Sequence, residues 1–435
     1  MKRLCLFLFC LLTAASCNIS AVAVPKVKKP ISITSPTPKK SLTKVSLSEE
    51  QQAYVNSGNA FAFKCLAELY KEQNSSMIFS PLSLQYALAM AVNGASGETA
   101  KEITTALGYG TDVKALNDFC NLLLNQLPAL DLSVQLKLTD AMLVRDGFPL
   151  QDAFKQTLND TYYAPVEFFA PASKQEIADR INEWAYRNTN GVIYPLLSAN
   201  DISDEFVAAI MNALYFKAKW AGSEYDPMFR EEATLKQQTF YLDGGGQSKA
   251  DLMRTSDHFY YAVRDGYKVV ELPYASGKFA MYVLLPDEKG KKGLSGLMAK
   301  LPSENWNGIL SSLDRNIQVN VRLPKFDTES SFQLPKALKA LGIKRAFDSS
   351  RAEFDSMFNA PGWQFWVGNI FQKAKITVAE WGTEAAAVTV MVMDGCTATA
   401  PDPRELDFFC DHPFVYIIAE RGTGTILFEG IYDGK

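Results

Sequence analysis

Histidine is nearly absent from this sequence: only His258 and His412 occur among 435 residues. A Ser-His-Asp triad needs a histidine held between two partners, and catalytic zinc sites commonly use two or three histidines. Neither histidine lies in a recognisable arrangement of that kind. We therefore predict that the chain is not an enzyme, that it has no catalytic residues, and that it binds no metal and no cofactor.

Cysteine is also sparse outside the N-terminus. Three of the seven cysteines, Cys5, Cys10 and Cys17, lie in the leading apolar segment. The remaining four are Cys65, Cys120, Cys396 and Cys410. Their spacing contains no CxxC pair or other metal-ligand pattern, so we expect mostly free thiols. A single disulfide stays open, because sequence alone does not give the distance between two cysteines.

Acidic side chains are absent from the first 46 residues, which hold eight lysines and arginines. The rest of the chain carries 36 basic and 48 acidic side chains. Because an acidic body repels polyanions, we predict no nucleic-acid partner. With 47% hydrophobic and 21% charged residues, the composition disfavours both a polytopic membrane protein and a disordered chain.

Residues 1–16 have the features of a secretory signal peptide: Lys2 and Arg3, then an apolar run, then small residues. Small residues directly before Cys17 resemble the bacterial lipobox, in which the cysteine is lipidated and becomes the mature N-terminus. The alternative is an ordinary signal peptide that contains a cysteine. We predict an exported, membrane-anchored lipoprotein of the bacterial envelope, or a secreted protein if Cys17 is not lipidated.

The segment after the signal, residues 17–46, is rich in proline, lysine and serine. Its prolines are Pro25, Pro30, Pro36 and Pro38. Such a composition favours an extended, solvated chain over a packed one. We expect this segment to act as a tether that holds the folded body, residues 47–435, away from the membrane.

The first part of the body has helical spacing. Apolar residues at i, i+3, i+4 and i+7 from Phe63 to Tyr70 form one helix face. Ser96 is placed to cap the start of a further helix, and Gly108 is placed to end it. The N-terminal third is therefore predicted to be rich in helices.

Later segments have the spacing of strands. Apolar and polar residues alternate over 317–323, and 279–285 is a continuous apolar run. Two apolar runs, 414–418 and 425–431, flank Arg421-Gly422 and predict a hairpin. Helices and antiparallel strands occur without a βαβ rhythm, and no repeat or Pro/Gly-rich break divides the body. We predict one α+β domain.

The segment from Thr383 to Met393 combines small and β-branched residues. Thr383, Ala385, Ala387 and Thr389 alternate along it and would share one face of a strand. Both faces are almost free of charge, which suits the centre of a sheet, yet the segment continues into polar, proline-bearing residues. Taken alone, the pattern indicates an interior strand followed by a long loop.

Several motifs, in order, resemble those of the serpins, the serine-protease inhibitor family. The hinge of the family's reactive loop is matched by Glu380, Gly382, Thr383, Glu384, Ala385, Ala386 and Ala387. Further matching motifs are FSPLS at 79–83, GASGET at 94–99, NALYFKAKW at 212–220, HPF at 412–414 and LFEG at 427–430. The resemblance covers residues 47–435.

The resemblance implies a serpin fold, with a helix-rich N-terminal part, three β-sheets and an exposed reactive-centre loop at about 380–411. It also implies a monomer that inhibits serine proteases, with cysteine proteases as a further target class. In such an inhibitor the protease cleaves the loop, stays bound as a covalent acyl-enzyme, and is trapped when the cut loop inserts into the central sheet. Small hinge residues permit that insertion. The alternative function is a non-inhibitory serpin-fold binding protein.

Single positions carry over by the same resemblance. Ser80, Ser83 and Asn212 match the polar cluster beneath the point where the sheet opens, and Trp220 matches the tryptophan where the loop first enters. The cluster's usual histidine position is matched by Gln372. Since its amide can both donate and accept hydrogen bonds, we expect the cluster to keep its contacts without the pH sensitivity of an imidazole.

The same resemblance places the reactive bond between Cys396 and Thr397, sixteen positions after the hinge glutamate. The stretch that follows is longer than in many serpins, so the bond between Met393 and Asp394 is the alternative. Small apolar residues precede Met393, and they favour elastase-like or subtilisin-like target proteases.

Overall fold

Helices concentrate in the first half of the chain, as the spacing predicts. A computed structural model describes residues 27, 30–32, 38, 40–223, 226–314, 317–383 and 405–435. The helices are α1 (Glu49–Gln73), α2 (Pro81–Gly94), α3 (Gly97–Leu107), α4 (Val113–Gln126), α5 (Asp152–Tyr162), α6 (Lys174–Asn188), α7 (Lys291–Lys300), α8 (Trp306–Ser311) and α9 (Pro335–Ala340).

The strands are distributed along the chain from Met77 to Tyr432. They are β1 (Met77–Phe79), β2 (Gln135–Arg145), β3 (Val166–Phe169), β4 (Ala208–Lys219), β5 (Leu235–Tyr241), β6 (Gln247–His258), β7 (Tyr260–Arg264), β8 (Tyr267–Tyr274), β9 (Phe279–Pro286), β10 (Gln318–Pro324), β11 (Phe326–Gln333), β12 (Phe371–Ala379), β13 (Gly382–Thr383), β14 (Leu406–Phe409), β15 (Phe414–Glu420) and β16 (Ile426–Tyr432).

Three sheets organise these strands. The large sheet has the order β11-β12-β13-β4-β2-β3, and the C-terminal sheet has the order β1-β16-β15-β9-β8-β7. A four-stranded sheet has the order β14-β10-β6-β5. Most neighbouring strands are antiparallel, so the predicted α+β class with three sheets is confirmed.

Helix caps follow the local sequence. Ser48 and Gln51 form a capping box at the start of α1, and the Ser80 side chain caps α2. Ser96 is the N-cap residue of α3, but its hydroxyl bonds to Asp355 instead of to the first helical turn. Gly108 ends α3 in the left-handed conformation, as predicted.

The predicted strands are present. Strand β9 is buried along its whole length, and β10 alternates buried and half-buried residues. Strands β15 and β16 pair as the predicted hairpin, and both are buried throughout. Continuous apolar runs identify these strands because both of their faces are covered.

The predicted tether contacts the folded body at several of the residues that the structure describes. Ile31 is fully buried and Val45 nearly so. The backbone amide of Leu42 donates to the carbonyl of Ala129, and the Lys278 ammonium donates to the carbonyl of Thr43. The expectation of a solvated segment over 17–46 is therefore wrong at Ile31 and Val45, while Pro30, Ser32 and residues 41–44 keep exposed side chains. Composition indicates the average behaviour of such a segment and misses single apolar side chains that find a partner.

Three described cysteines are free and buried: Cys65, Cys120 and Cys410. Burial raises the pKa of each thiol, to about 12 for Cys120, so none is a reactive thiolate. Cys17 and Cys396 lie outside the described residues.

The described part of the chain contains neither a candidate membrane span nor a candidate metal cluster. No helix there is long and apolar enough to cross a bilayer. No group of three or more His, Cys, Asp or Glu side chains there could hold a metal ion.

Candidate functional site: the opening in the large sheet

The candidate site lies where β4 and β12 are separated by the short strand β13. Gly382 pairs with Lys219 of β4 and Ala379 of β12, and Thr383 pairs with Ala218 and with Val378 on the same two strands. Both pairings are antiparallel, so β4 and β12 run parallel to each other. Among the described residues, β13 is the only strand that lies between them. Two hinge residues, Gly382 and Thr383, thus already occupy a strand position.

Gly382 is required at this position by close contact. Its φ of +141° is unfavourable for residues with a side chain, and a Cβ atom there would collide with the carbonyl oxygen of Ala218. The hinge glycine therefore lets the chain pass tightly against β4.

Thr383 points into the protein. It is 3% exposed, and its hydroxyl lies 2.6 Å from that of Tyr274. Burial raises the pKa of Tyr274, so its phenol stays protonated. The small hydroxyl side chain fits because a larger or charged group would lose its hydration here without a partner.

Glu380 is fixed by two contacts just before β13. The Lys325 ammonium lies 2.8 Å from its carboxylate, and the Thr234 hydroxyl donates to it at 2.7 Å. Burial alone would raise the pKa of Glu380, but these hydrogen bonds outweigh burial and hold the pKa below its usual value. Glu380 is therefore ionised at neutral pH and anchors the turn into β13.

Trp220 covers the entry to β13. Its indole Nε1 donates to the carbonyl of Ala379 at 2.8 Å, and its backbone amide donates to the carbonyl of Trp381 at 3.4 Å. Its ring stacks on Tyr274, with ring centroids 4.6 Å apart. The structure places this predicted residue directly against the hinge.

Ser80 and Gln372 meet at the other end of β12. The Ser80 amide donates to Gln372 Oε1 at 3.0 Å, and Gln372 Nε2 donates to the Ser80 carbonyl at 2.9 Å. The Ser80 hydroxyl donates to the Leu427 carbonyl and accepts from the Ser83 amide. One amide side chain thus joins β12 to the start of α2 through two hydrogen bonds.

Asn212 does not share these contacts. The hydrogen bonds of the described residues link its Nδ2 to Asp140 on β2 at 2.7 Å, and none links it to Ser80, Ser83 or Gln372. The expected single polar cluster is therefore divided in two. The physical reason is register: Asn212 lies directly opposite Asp140 in the pairing of β2 with β4, so the carboxyl is its nearest partner.

Asp140 is a functional candidate that the sequence reasoning missed. It is 1% exposed, and burial raises its pKa to about 7, which the hydrogen bond from Asn212 only partly offsets. Tyr86, Cys120 and Tyr162 pack nearby, and burial raises the pKa of each, so they stay neutral where Asp140 titrates. The available signal was a charged residue inside the apolar run 138–144.

A cavity of about 1160 Å³ lies between β4 and β12, on the side of β13 toward Ser80. Ser83, Ile181, Trp184, Asn212 and Ala374 are among the residues that line it. They belong to α2, α6, β4 and β12, so the cavity extends through the large sheet from α2 to α6. Both polar pairs border the path along which a strand continuing from β13 would run.

The remaining predicted site residues lie outside the described residues. They are Cys17, Glu384, Ala385, Ala386, Ala387, Met393, Asp394, Cys396 and Thr397. The described chain stops at Thr383 and resumes at Glu405, just before β14, which pairs in parallel with β10.

The two histidines lie away from this opening. His412 is buried at the start of β15, where its ring nitrogens contact Asp411 and the Pro286 carbonyl, each at 2.8 Å. His258 lies at the exposed end of β6. The contacts of His412 thus hold its ring between Asp411 and the end of β9.

The sequence matches one protein family over nearly its whole body. The family model described as Serpin (serine protease inhibitor) matches residues 56–433. An uncharacterized serpin-like protein of Thermococcus kodakarensis is 34% identical over 388 residues, which cover 88% of this chain and 85% of that protein. Serpin-ZX of Arabidopsis thaliana is 33% identical over 372 residues, which cover 82% of this chain and 92% of that protein.

Solved structures give the same result for the fold. The structure named Cleaved Serpin 42Da superposes with a TM-score of 0.77 at 27% identity, covering 88% of this chain and 98% of that chain. A complex of thyroxine-binding globulin with thyroxine superposes with a TM-score of 0.75 at 23% identity, covering 87% and 98%. The second likeness shows the fold alone.

Proposed function

The chain belongs to the serpin family, whose members are generally protease inhibitors rather than catalysts, and we propose that it traps serine proteases by inserting its cleaved loop into the large sheet. The observation that carries this proposal is β13, whose two residues are hydrogen-bonded between β4 and β12. Adding a strand between two existing strands supplies backbone hydrogen bonds on both sides. The uncleaved protein is then metastable and is held by a kinetic barrier.

The register of β13 defines where each later residue goes if the strand continues. Each step beyond Thr383 moves one residue back along both β4 and β12. Ala387 comes level with Leu214 and Ala374, and Thr389 comes level with Asn212 and Gln372. The inserted strand would thus reach both polar pairs beneath the sheet.

The alternation of side chains sets which residues must be small. Ala385, Ala387 and Thr389 fall on the same face as Thr383, which is directed at the core. Ala386 falls on the opposite face, level with the exposed Lys375 of β12 and with Tyr215 of β4, which is 5% exposed. The small residues of the first set therefore match the face that becomes buried.

We propose targets of the elastase-like or subtilisin-like type, with cleavage between Cys396 and Thr397 or between Met393 and Asp394. Val390, Met391 and Val392 would fill small apolar subsites before the second bond. The two bonds differ by three residues and release C-terminal peptides of different mass. Mass therefore distinguishes them.

The test is to incubate the purified protein with an elastase-like, a subtilisin-like and a trypsin-like protease. We expect a covalent complex on denaturing electrophoresis with at least one of the first two, and a large rise in melting temperature of the cleaved protein. Intact mass of the C-terminal peptide gives the bond. Cleavage by all three without complex or stabilisation would contradict trapping and favour the serpin-fold binding protein.

Two loop variants supply a matched control. Ala387→Arg places a charge on the core face, so we expect cleavage at the wild-type rate but less than a tenth of the complex, because burying an unpaired charge is costly. Ala386→Arg places the same charge on the opposite face, beside the exposed Lys375, where the long side chain can reach solvent, and should retain several-fold more complex than Ala387→Arg. Equal loss in both variants would contradict the register given above.

We also propose that the protein is exported and that a lipid on Cys17 anchors a monomer to the bacterial envelope. The support is the pattern of residues 1–17. Mass spectrometry of the mature N-terminus should show a lipidated cysteine in the membrane fraction, and Cys17→Ser should move the protein to the soluble fraction. An unmodified N-terminus at another residue would contradict the anchor, and light scattering tests the monomer.

A further inference from the structure

Ile31 makes a contact that the composition of its segment does not predict. It is fully buried in the smaller apolar core, although it follows Pro30 in a proline- and lysine-rich stretch. That core joins α6, through Ile181 and Trp184, to the large sheet, through Met211 and others. Ile31 therefore belongs to the layer that holds α6 on the sheet.

Two polar contacts fix the same segment from both sides. The Arg187 guanidinium, in the last turn of α6, donates to the Ile31 carbonyl at 2.6 Å. It also bonds to Glu183 one turn earlier, which orients it. The Ser32 hydroxyl donates to the carboxylate of Glu167 on β3 at 2.7 Å. Residues 30–32, here called the strap, thus bridge α6 and the edge strand of the large sheet.

The position of α6 controls access to the cavity between β4 and β12. Ile181, Trp184 and Ala185 on its inner face line that cavity. Met211 and Ala213 of β4 pack in the same apolar cluster. A strand that enters between β4 and β12 has to pass beneath α6, so α6 must shift or loosen while the strands separate.

We propose that the strap holds α6 against the large sheet and thereby slows loop insertion, so that its release accelerates insertion. This inference rests on the proposed function, because it concerns the same insertion step. Its chemistry is an apolar anchor at Ile31 with one charge-assisted hydrogen bond on its carbonyl. The contacts are few, so the strap can detach without unfolding the domain.

Docking of the strap also shortens the predicted tether. If Cys17 carries the lipid, residues 18–29 alone separate it from the docked strap, a reach of at most about 45 Å. A detached strap would lengthen that reach. The position of the body relative to the membrane and the barrier to insertion are then coupled through the same three residues.

The test uses the full chain with Ile31→Asp, and with Leu42→Asp as a matched control in the same segment, where the side chain is 37% exposed. A carboxylate at position 31 cannot stay in the apolar cluster. We expect Ile31→Asp to convert on mild heating at least tenfold faster into an uncleaved form that resists urea. Ile31→Ala, which removes only part of the anchor, should lie between the two and covers the case in which Ile31→Asp does not fold.

A second readout does not depend on loop insertion. Hydrogen exchange should increase along Lys174–Asn188 in Ile31→Asp and stay at the wild-type level in Leu42→Asp. Wild-type exchange and conversion rates in both position-31 variants would overturn the strap, even when the wild-type protein forms complexes. An equal acceleration in Leu42→Asp would overturn it as well. Failure of the wild-type protein to form any complex, with faster α6 exchange in Ile31→Asp, would instead count against the proposed inhibition alone.

Discussion

The two six-stranded sheets of this protein have the same number of strands but differ in how completely those strands pair. In the C-terminal sheet, β9, β15 and β16 are buried along their whole lengths and pair with their neighbours throughout. In the large sheet, the described part of the chain joins β4 to β12 only through the two residues of β13. One sheet is complete, and the other has a position for a further strand.

This difference separates stability from function within one domain. A complete, buried sheet gives cooperative stability, because each strand loses contacts on both sides if it leaves. The large sheet can accept a strand between β4 and β12 while the C-terminal sheet keeps its pairing. Mutations in the first sheet should therefore change unfolding, and mutations around the opening should change insertion.

The largest effect is expected for Gly430→Ala in the complete sheet. Gly430 lies between Ile78 of β1 and Tyr416 of β15, and a Cβ atom there would collide with the Met77 carbonyl oxygen and the Tyr416 ring. Because neither neighbour can move without breaking the sheet, we expect a loss of at least about 3 kcal/mol in unfolding free energy. Urea unfolding followed by circular dichroism measures it.

The same substitution at Gly382 is the comparison. Its Cβ atom would collide with Ala218 just as severely, but only β13 must leave its place. We expect less than about 1.5 kcal/mol of lost stability in the uncleaved protein, together with reduced protease complex. Equal destabilisation by both alanines would remove the distinction between the sheets.

Asp140→Asn tests the effect of the buried Asp140 carboxyl, opposite Asn212 of β4, on the pH dependence of stability. Burial raises the pKa of Asp140 from 3.8 in the unfolded chain to about 7. The folded state therefore binds the extra proton between these values, so this group's contribution to stability is complete below pH 4 and is lost as the pH rises to 7. The variant should lack this slope, so its stability relative to wild type should increase by about 3 kcal/mol between pH 5 and pH 8, measured by urea unfolding at both values.

Asp131→Asn is the matched control with the opposite sign. Burial would raise the pKa of Asp131, but hydrogen bonds from Ser133 and Ser276 outweigh it and lower the pKa. Its stabilising contribution is therefore present above pH 4 and is lost as the pH falls through the folded-state pKa. Parallel pH profiles for the two variants would contradict the assignment for Asp140.

The strands and hinge residues that depend on local sequence pattern could be predicted from the sequence alone. The runs that form β9, β15 and β16 are continuous and apolar, which marks strands covered on both faces. The hinge residues Gly382 and Thr383 were found through the family motif, and the structure places them at the opening.

Contacts between distant segments could not be predicted in the same way. The pairing of Asp140 with Asn212 depends on the register of two strands 72 residues apart, and the burial of Ile31 depends on α6 and β3. Neither is visible in local spacing. A polar residue inside an apolar strand and an isolated isoleucine in a proline-rich stretch were the available signals.

A smaller effect is expected for Gln372→Ala at the N-terminal end of β12. The variant leaves the buried amide and carbonyl of Ser80 without their partners, so we expect a loss of about 2 kcal/mol and faster insertion on heating. Gln333→Ala, on the neighbouring strand and exposed, should change stability by less than about 0.5 kcal/mol. A neutral result for Gln372→Ala would show that the contact between β12 and α2 does not restrain the sheet.

The smallest effect is expected for Lys325→Ala beside the hinge. Lys325 is partly exposed, and Glu380 keeps its bond from Thr234 after the change, so the loss should be about 0.5 kcal/mol at pH 7 and should shrink in high salt. Because the pKa of Glu380 is lowered in the folded state, the contribution of the pair is present above pH 4.5 and is lost as the pH falls through the folded value. Wild type and variant should therefore converge near pH 3. A difference that persists there, in urea unfolding at the two pH values, would mean that Lys325 supports the hinge by packing and not by charge.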